Sequence, residues 1–271
     1  MFNLKFAIYN LQFAITLVAA VGCHTPLASR LVLPDQNTVV REQLTIHSDF
    51  VLPPHHRLLD ELVAQRTDLN RRLGLPNSDE PIHVYLFENV DRFKGFMKIY
   101  HPDFPDRRAF FLETDTKLSV YAQWGDRVAE DLRHEITHGY LHSTVPNVPL
   151  WLDEGLAKFY EVARNERGLN RPYVNLLGQR LTREHWRPDL KRLEQLDPAK
   201  DMSLADYAES WAWVYFLLEA RGEYAGVLRA YISDLRRDGI PTTFYERLTV
   251  VIPDPNAALA DYLQSLIAGK N

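Results

Sequence analysis

The chain has 271 residues, of which 46% are hydrophobic and 25% are charged, and its formal net charge is −5. These proportions are ordinary for a globular protein, and the length suffices to bury a core in one large domain or two small lobes. The sequence has no basic excess of the kind that neutralises phosphate backbones, so we expect no nucleic acid partner.

The first 22 residues have the pattern of a secretory signal peptide. Lys5 is followed by a largely apolar run that ends in small residues directly before Cys23, the one cysteine of the chain. This junction resembles the lipobox of bacterial lipoproteins, although Ala20 stands where a leucine is usual. The resemblance implies an exported domain in the cell envelope, anchored to a membrane through lipidated Cys23. A plain signal peptide or a short membrane anchor is the alternative.

Residues 23–40 are predicted to be a linker, because they are polar, contain proline and show no periodicity. Residues 41–145 follow as a small mixed α/β lobe, in which alternating runs predict strands and apolar residues at helical spacing predict helices. The predicted elements are strand 43–48, helix 53–73, strand 82–87, helix 91–100, a hairpin of strands 110–113 and 118–123, and a helix capped by Asp126 that runs to His142.

Residues 146–271 are predicted to form an all-helical lobe, so the fold class is α+β. The two prolines of segment 144–149 suit a tight turn between the two lobes. The predicted helices are 150–164, 174–183, 204–221, 224–237 and 257–267.

The string HEITH (residues 134–138) lies on the last predicted helix of the first lobe. Residues four apart share one helix face, about 6 Å apart along the axis, so His134 and His138 can bind one Zn²⁺. Glu135 lies about 100° further round the helix, beside such an ion, where it can take a proton from an attacking water. The alternative is a surface helix with two solvated histidines.

A third ligand is available in the string WLDEGLA (residues 151–157). Glu154 and two neutral imidazoles would leave the zinc site at net charge +1 with a fourth position open for water, as in catalytic sites with two histidines and one glutamate. The alternative is an ordinary carboxylate on a helix surface. The adjacent Asp153 either holds the second nitrogen of a histidine or is a carboxylate at a helix start. His142 lies about 12 Å along the helix axis from His134, too far to share one ion.

Together, the two strings resemble the motifs of gluzincin zinc metallopeptidases and, within that clan, peptidase MA-like domains. The resemblance extends over residues 43–266 in the order of elements and is specific at the two strings. It implies a zinc-dependent peptidase in which Glu154 binds the metal and Glu135 is the general base. The metzincin class is excluded, because Leu141 and Thr144 stand where that class needs glycine and histidine.

The same resemblance implies two further features. Tyr207, near the start of the predicted helix 204–221, resembles the tyrosine that faces the zinc in aminopeptidase-like members and stabilises the oxyanion; Tyr215 and His185 are alternatives. The strand 118–123, directly before the metal helix, would be an edge strand that pairs with an extended peptide substrate. The alternatives to a peptidase are a non-catalytic zinc- or peptide-binding envelope lipoprotein on the same scaffold, and a structural lipoprotein in which the motif is accidental.

Overall fold

A computed structural model describes residues 32–197, 202–239 and 242–269 of the chain. The predicted signal segment, Cys23 and the first half of the predicted linker (residues 23–31) lie outside these residues. No helix among the described residues has the length and apolar character needed to cross a bilayer. The fold class is α+β, as predicted, with a five-stranded sheet followed by a largely helical C-terminal part.

The sheet is mixed and is built from the N-terminal part of the chain. Its strands are β1 (Asn37–Arg41), β2 (Leu44–Ser48), β3 (Ile82–Phe87), β4 (Ala109–Thr114) and β5 (Lys117–Gln123). They lie in the order β1-β2-β3-β5-β4, with parallel pairs β2–β3 and β3–β5 and antiparallel pairs at the two edges. The predicted linker therefore ends before residue 37, because β1 pairs with β2 and buries Val39.

The strand directly before the metal-motif helix is not at the sheet edge, and this part of the predicted fold is wrong. β5 lies between β3 and β4, so the edge next to it is β4. Both faces of β5 are buried: Val120 and Ala122 belong to the larger core and Tyr121 to a smaller one. A strand with two buried faces is typical of the interior of a sheet, whereas β4 becomes exposed beyond Leu112.

Three helices flank this sheet, and their places agree with the prediction. They are α1 (Arg57–Leu73), α2 (Val90–Tyr100) and α3 (Val128–His142). α1 ends at Gly74, whose φ of 71° lies in the left-handed region that glycine adopts without strain. The predicted cap of α3 at Asp126 is wrong: the helix follows Arg127 without a side-chain cap, and the Val128 N–H donates to the carbonyl of Gly125 instead.

The C-terminal part has helices joined by loops, and its described residues contain no strand. Its helices are α4 (Leu150–Glu161), α5 (Arg171–Arg183), α6 (Leu190–Glu194), α7 (Leu204–Glu219), α8 (Gly222–Asp238), α9 (Phe244–Thr249) and α10 (Pro255–Ile267). The five long helices are confirmed with small shifts at their ends. The short helices α6 and α9 were not predicted, because five or six residues are too few to display a helical period. One hydrophobic core runs from Val39 of the sheet to Leu263 of the last helix.

The helix α4, which carries Glu154, packs between α3 and α7. Gly155 permits the close approach to α7, because a Cβ at this position would lie 2.6 Å from the carbonyl oxygen of Ser210 and 2.7 Å from Val214. The turn from α3 to α4 is tight, as predicted, and Asn147 adopts a φ of 52° there. Its side-chain amide donates to the carbonyl of Gly239 at 3.1 Å, which ties the turn to the end of α8.

Candidate metal centre

The two histidines of HEITH and the buried apolar residues of α3 lie on different sides of the helix. Leu132, Ile136 and Tyr140 recur at four-residue spacing on α3 and are each buried. Residues two positions further along a helix point to the opposite side. On that side, His138 contacts Asp153 and His134 lies near Glu154, so both histidines lie against α4. The same packing that buries the apolar face of α3 therefore presents both imidazoles to the helix that carries the third candidate ligand.

The three predicted ligands lie together. Nε2 of His138 is 3.3 Å from Nε2 of His134, and Oε2 of Glu154 is 3.6 Å from that same His134 nitrogen. Donor atoms about 2.0–2.1 Å from a tetrahedrally bound zinc lie about 3.3–3.4 Å from one another. The two separations from His134 are close to these values, so the donors fit zinc in chemistry and, around His134, in spacing. The donor atoms that all lie within 4.8 Å of one another are those of His134, Glu135 and His138, and Glu154 lies next to this group.

An unsatisfied atom at the same place also favours a cation. Oε2 of Glu154 is buried and has no hydrogen-bond partner. The side chains of His134 and Glu154 are only 12% and 14% exposed. A buried carboxylate oxygen is stable only when it is paired, hydrogen-bonded or bound to a metal. A metal ion between Glu154 and the two imidazoles would satisfy it.

Glu135 lies beside this donor set. Its carboxylate oxygen and one nitrogen from each of His134 and His138 all lie within 4.8 Å of one another. Glu135 also lines the two cavities at the site, one of about 510 Å³ and one of about 180 Å³, as His134 does. The carboxylate is therefore open to solvent and to a ligand next to the candidate metal position, as a general base requires.

Asp153 contacts the second nitrogen of His138. Of the two roles considered for Asp153, a contact with a histidine and a carboxylate at a helix start, the structure therefore favours the contact. The Oδ1 atom of Asp153 is 2.8 Å from His138 Nδ1. Burial disfavours the charge on both groups, but their mutual attraction prevails, raising the pKa of His138 to about 10 and lowering the pKa of Asp153. A carboxylate in this position fixes the ring orientation and makes the imidazole a stronger ligand.

His142 extends this chain of contacts towards the sheet edge. Its Nε2 is 3.1 Å from Asp153 Oδ2, and its Nδ1 is 2.6 Å from Oε2 of Glu113 on β4. His138, His142 and Asp153 also lie close enough to be considered as ligands of a second metal ion. Their separations are those of hydrogen bonds, however, and the three groups satisfy one another. We therefore assign His142 and Asp153 to positioning His138.

Replacing Asp153 with asparagine should weaken zinc binding by about 10- to 100-fold. Asparagine can still accept the hydrogen bond from His138, but it lacks the charge that strengthens the imidazole as a ligand. Competition with a chromogenic chelator measures the affinity. Glu113→Gln is the matched control, because it alters only the far end of the chain of contacts and should cost less. An Asp153→Asn protein with wild-type zinc affinity would contradict the assigned role.

Sequence reasoning missed a carboxylate beside His134. The Nδ1 atom of His134 lies 3.2 Å from Oε2 of Glu161, the last residue of α4, without the geometry of a hydrogen bond. Burial raises the pKa of Glu161, but His134 and Lys158 outweigh it and lower the pKa overall. The signal for this residue is its spacing: Glu161 lies seven residues after Glu154, on the same face of one helix.

Tyr207, the predicted oxyanion donor, borders the candidate site. It lines the cavity of about 510 Å³ together with His134 and Glu135. Burial, followed by the negative charge of Glu154, raises the pKa of Tyr207 and outweighs the opposing effect of Arg107. The phenol therefore keeps its proton at neutral pH and is available as a hydrogen-bond donor.

The two alternatives to Tyr207 lie elsewhere. Tyr215 points into the helical part, where its ring lies 5.3 Å from that of Trp211 and 6.3 Å from that of Tyr262. His185 is exposed just beyond α5, with a φ of 55°. Neither residue lines the cavities that contain His134, so neither is placed to contact a reacting group.

Arg107 is the other site residue that the sequence did not indicate. It lies in the loop before β4, lines both cavities at the site, and its Nη2 is 3.5 Å from the hydroxyl oxygen of Tyr207. A single arginine between a proline-containing loop and a strand has no spacing pattern that relates it to residues on α3, α4 or α7. Only the tertiary structure brings it to the site.

Comparison with known proteins adds no further constraint on this site. Neither the protein-family models nor the curated proteins compared with the chain gave a match. The function must therefore be inferred from the donor set, its surroundings and the cavities that open onto it.

Proposed function

We propose that this protein is a zinc-dependent peptidase of the gluzincin type, with His134, His138 and Glu154 as ligands and Glu135 as the general base. The observation that carries this proposal is a set of three largely enclosed donors, in which His134 lies 3.3 Å from His138 and 3.6 Å from Glu154, and in which Glu154 has an unpartnered oxygen. Three protein ligands leave one coordination position open, which is the arrangement of catalytic zinc sites, whereas structural sites have four protein ligands.

The surrounding residues have separate chemical roles in this proposal. When bound, zinc would provide a Lewis acid that polarises the peptide carbonyl and lowers the pKa of water. Glu135 accepts a proton from the attacking water and can return it to the leaving amine. Tyr207, which is protonated at neutral pH, donates a hydrogen bond to the carbonyl oxygen as negative charge develops there.

The sheet edge next to the site favours an extended peptide as substrate. β4 is the edge strand, and its Phe110 and Phe111 line the smaller cavity beside His138 and Glu154. The ring of Phe111 is stacked on that of His138 at 5.8 Å. Unpaired backbone groups of an edge strand can hydrogen-bond to an added strand. The substrate-pairing role predicted for the strand 118–123 thus passes to β4.

The runner-up is a zinc- or peptide-binding module without catalysis. Such a module would need the three ligands, but it would need neither Glu135 nor Tyr207 in the cavity that contains His134. The test is incubation of the zinc-loaded protein with a peptide library and mass spectrometry of the products. Cleavage is expected; an intact library with zinc bound would favour the binding module.

Replacing Tyr207 with phenylalanine should lower kcat by about 10²- to 10³-fold, the cost typical of removing one oxyanion donor. Zinc content should not change, because the hydroxyl is not one of the proposed ligands. Steady-state kinetics with zinc analysis measures both quantities. Tyr215→Phe, on the same helix but outside the cavity, is the matched control and should behave like wild type. Unchanged kinetics in Tyr207→Phe would show that this hydroxyl is not the donor.

We also propose that the domain is exported and held at a membrane of the cell envelope by a lipid on Cys23. The support is the apolar run that ends in small residues at the lone cysteine. Mass spectrometry of the detergent-extracted protein should find an N-terminus at Cys23 carrying acyl mass. A mature N-terminus at another residue, without acyl mass, would contradict the anchor but not the enzymatic proposal.

A further inference from the structure

The larger site cavity is lined by four cationic side chains, and three of them are already neutralised. The four are Arg107, Arg108, Arg127 and Lys158. The three pairs are Arg108 with Asp131 at 2.6 Å, Arg127 with Glu130, and Lys158 with Glu161 at 2.7 Å. Each of these carboxylates lines the same cavity, so the six paired groups together carry no net charge. Of the two other carboxylates that line it, Asp106 pairs with Lys94 outside the cavity, and Glu135 is the proposed general base.

Arg107 differs from the other three. Within the described part of the chain, no carboxylate forms an ion pair with it, and its contact with the Tyr207 hydroxyl is long at 3.5 Å. Its side chain borders both the larger cavity and the smaller one that contains His138 and Glu154. An arginine keeps its charge at any ordinary pH. The site therefore has one cation, at the junction of its two cavities, whose exposed guanidinium group forms no ion pair with a carboxylate of the described residues.

Arg107 is attracted by the carboxylates of Glu154 and Glu135. A divalent metal ion bound at Glu154 and the two imidazoles would balance the charge of these two carboxylates. The backbone of a peptide carries no charge that could then pair with the guanidinium group. A carboxylate can, because the planar guanidinium group forms two parallel hydrogen bonds with its two oxygens.

We propose that Arg107 binds a carboxylate of the peptide substrate, either its free C-terminus or an aspartate or glutamate side chain near the cleaved bond. This inference deepens the proposed peptidase function and rests on it. Arg107 is thereby a specificity-determining residue: its charge selects acidic peptides, and its position beside Tyr207 sets that carboxylate close to the reacting carbonyl.

Equilibrium binding tests the inference without depending on turnover. The full-length Glu135→Gln protein, loaded with zinc, is titrated with three kinds of fluorescent oligoalanine peptide: a free acid, its C-terminal amide, and a series of amides with one glutamate at each position in turn. Because charge-assisted hydrogen bonds are among the stronger ones, we expect a carboxylate to tighten binding by about tenfold or more. The free acid and the glutamate series show which carboxylate is bound.

The second arm repeats the titrations in proteins that also lack one cation. Arg107→Gln should abolish the difference between acid and amide, whereas Arg127→Gln, in the same cavity but already paired with Glu130, should preserve it. Equal binding of acidic and neutral peptides to the parent protein, or an undiminished preference in Arg107→Gln, would overturn the inference.

The two proposals fail separately in this design. A zinc-loaded wild-type protein that cleaves peptides without preferring acidic ones would leave the peptidase intact and refute the role of Arg107. A protein that prefers acidic peptides through Arg107 but cleaves none would support carboxylate binding and refute the peptidase. Raising the salt concentration should weaken the preference, because a partly exposed ion pair is screened.

Discussion

Replacing Glu135 with glutamine should leave zinc bound and the fold intact while peptide hydrolysis is lost. Glutamine is nearly isosteric with glutamate, but it cannot accept a proton from the attacking water. General-base assistance contributes about 10²- to 10⁴-fold to such reactions, so kcat/KM should fall at least within this range. Zinc content, circular dichroism and product formation, measured on the same preparation, separate a chemical effect from a structural one.

A second glutamate on the same helix supplies the control. Glu130 lies on α3 and lines the larger cavity, but it pairs with Arg127 and is not in the donor set at the candidate metal position. Glu130→Gln should therefore retain most activity. A Glu135→Gln protein as active as wild type would contradict the general-base mechanism, whatever its metal content.

Removing one of the three proposed ligands should lower zinc affinity by orders of magnitude, a larger effect than the 10- to 100-fold expected of residues that only position a ligand. His138→Ala should give the clearest loss, because His138 is buried. No neighbouring side chain could take its place as a ligand unless α3 moved. Zinc analysis after dialysis, together with competition against a chelator, measures the loss.

His142→Ala is the matched control for the histidine ligands. His142 lies on the same helix and contacts Asp153, yet the structure assigns it no place at the candidate metal position. The variant should still hold one zinc per chain, with at most a modest loss of affinity. Full zinc content in His138→Ala, or zinc loss in His142→Ala equal to that in His138→Ala, would show that the ligand assignment is wrong.

The parts of the site that depend on local spacing were predictable from the sequence. His134, Glu135 and His138 lie on one helix, so their relative positions follow from helix geometry alone. Helix geometry alone could not predict that Glu154 lies near His134, because this approach depends on the turn between α3 and α4. The prolines of that turn indicated its tightness, and Asn147 between them is a residue type that tolerates the left-handed conformation it adopts there. The tie from Asn147 to Gly239, in contrast, depends on a distant segment.

The parts that depend on distant segments were not predictable. Arg107 reaches the site only through the packing of its loop against the residues of α3 and α7. Strand order is equally non-local: the hairpin of β4 and β5 was recognised, but either strand could have been the outer one. β3 decides the matter by pairing with β5 in parallel, which leaves β4 at the edge beside the site.

The most direct test of the zinc peptidase is a titration of metal into the metal-free wild-type protein while peptide hydrolysis is followed. Protein stripped by a chelator should be inactive, and activity should rise in proportion to added zinc and stop rising at one ion per chain. That result would link one metal site to the chemistry. Hydrolysis that persists after the metal is removed, or a protein that binds one zinc and cleaves no peptide in the library, would contradict the account.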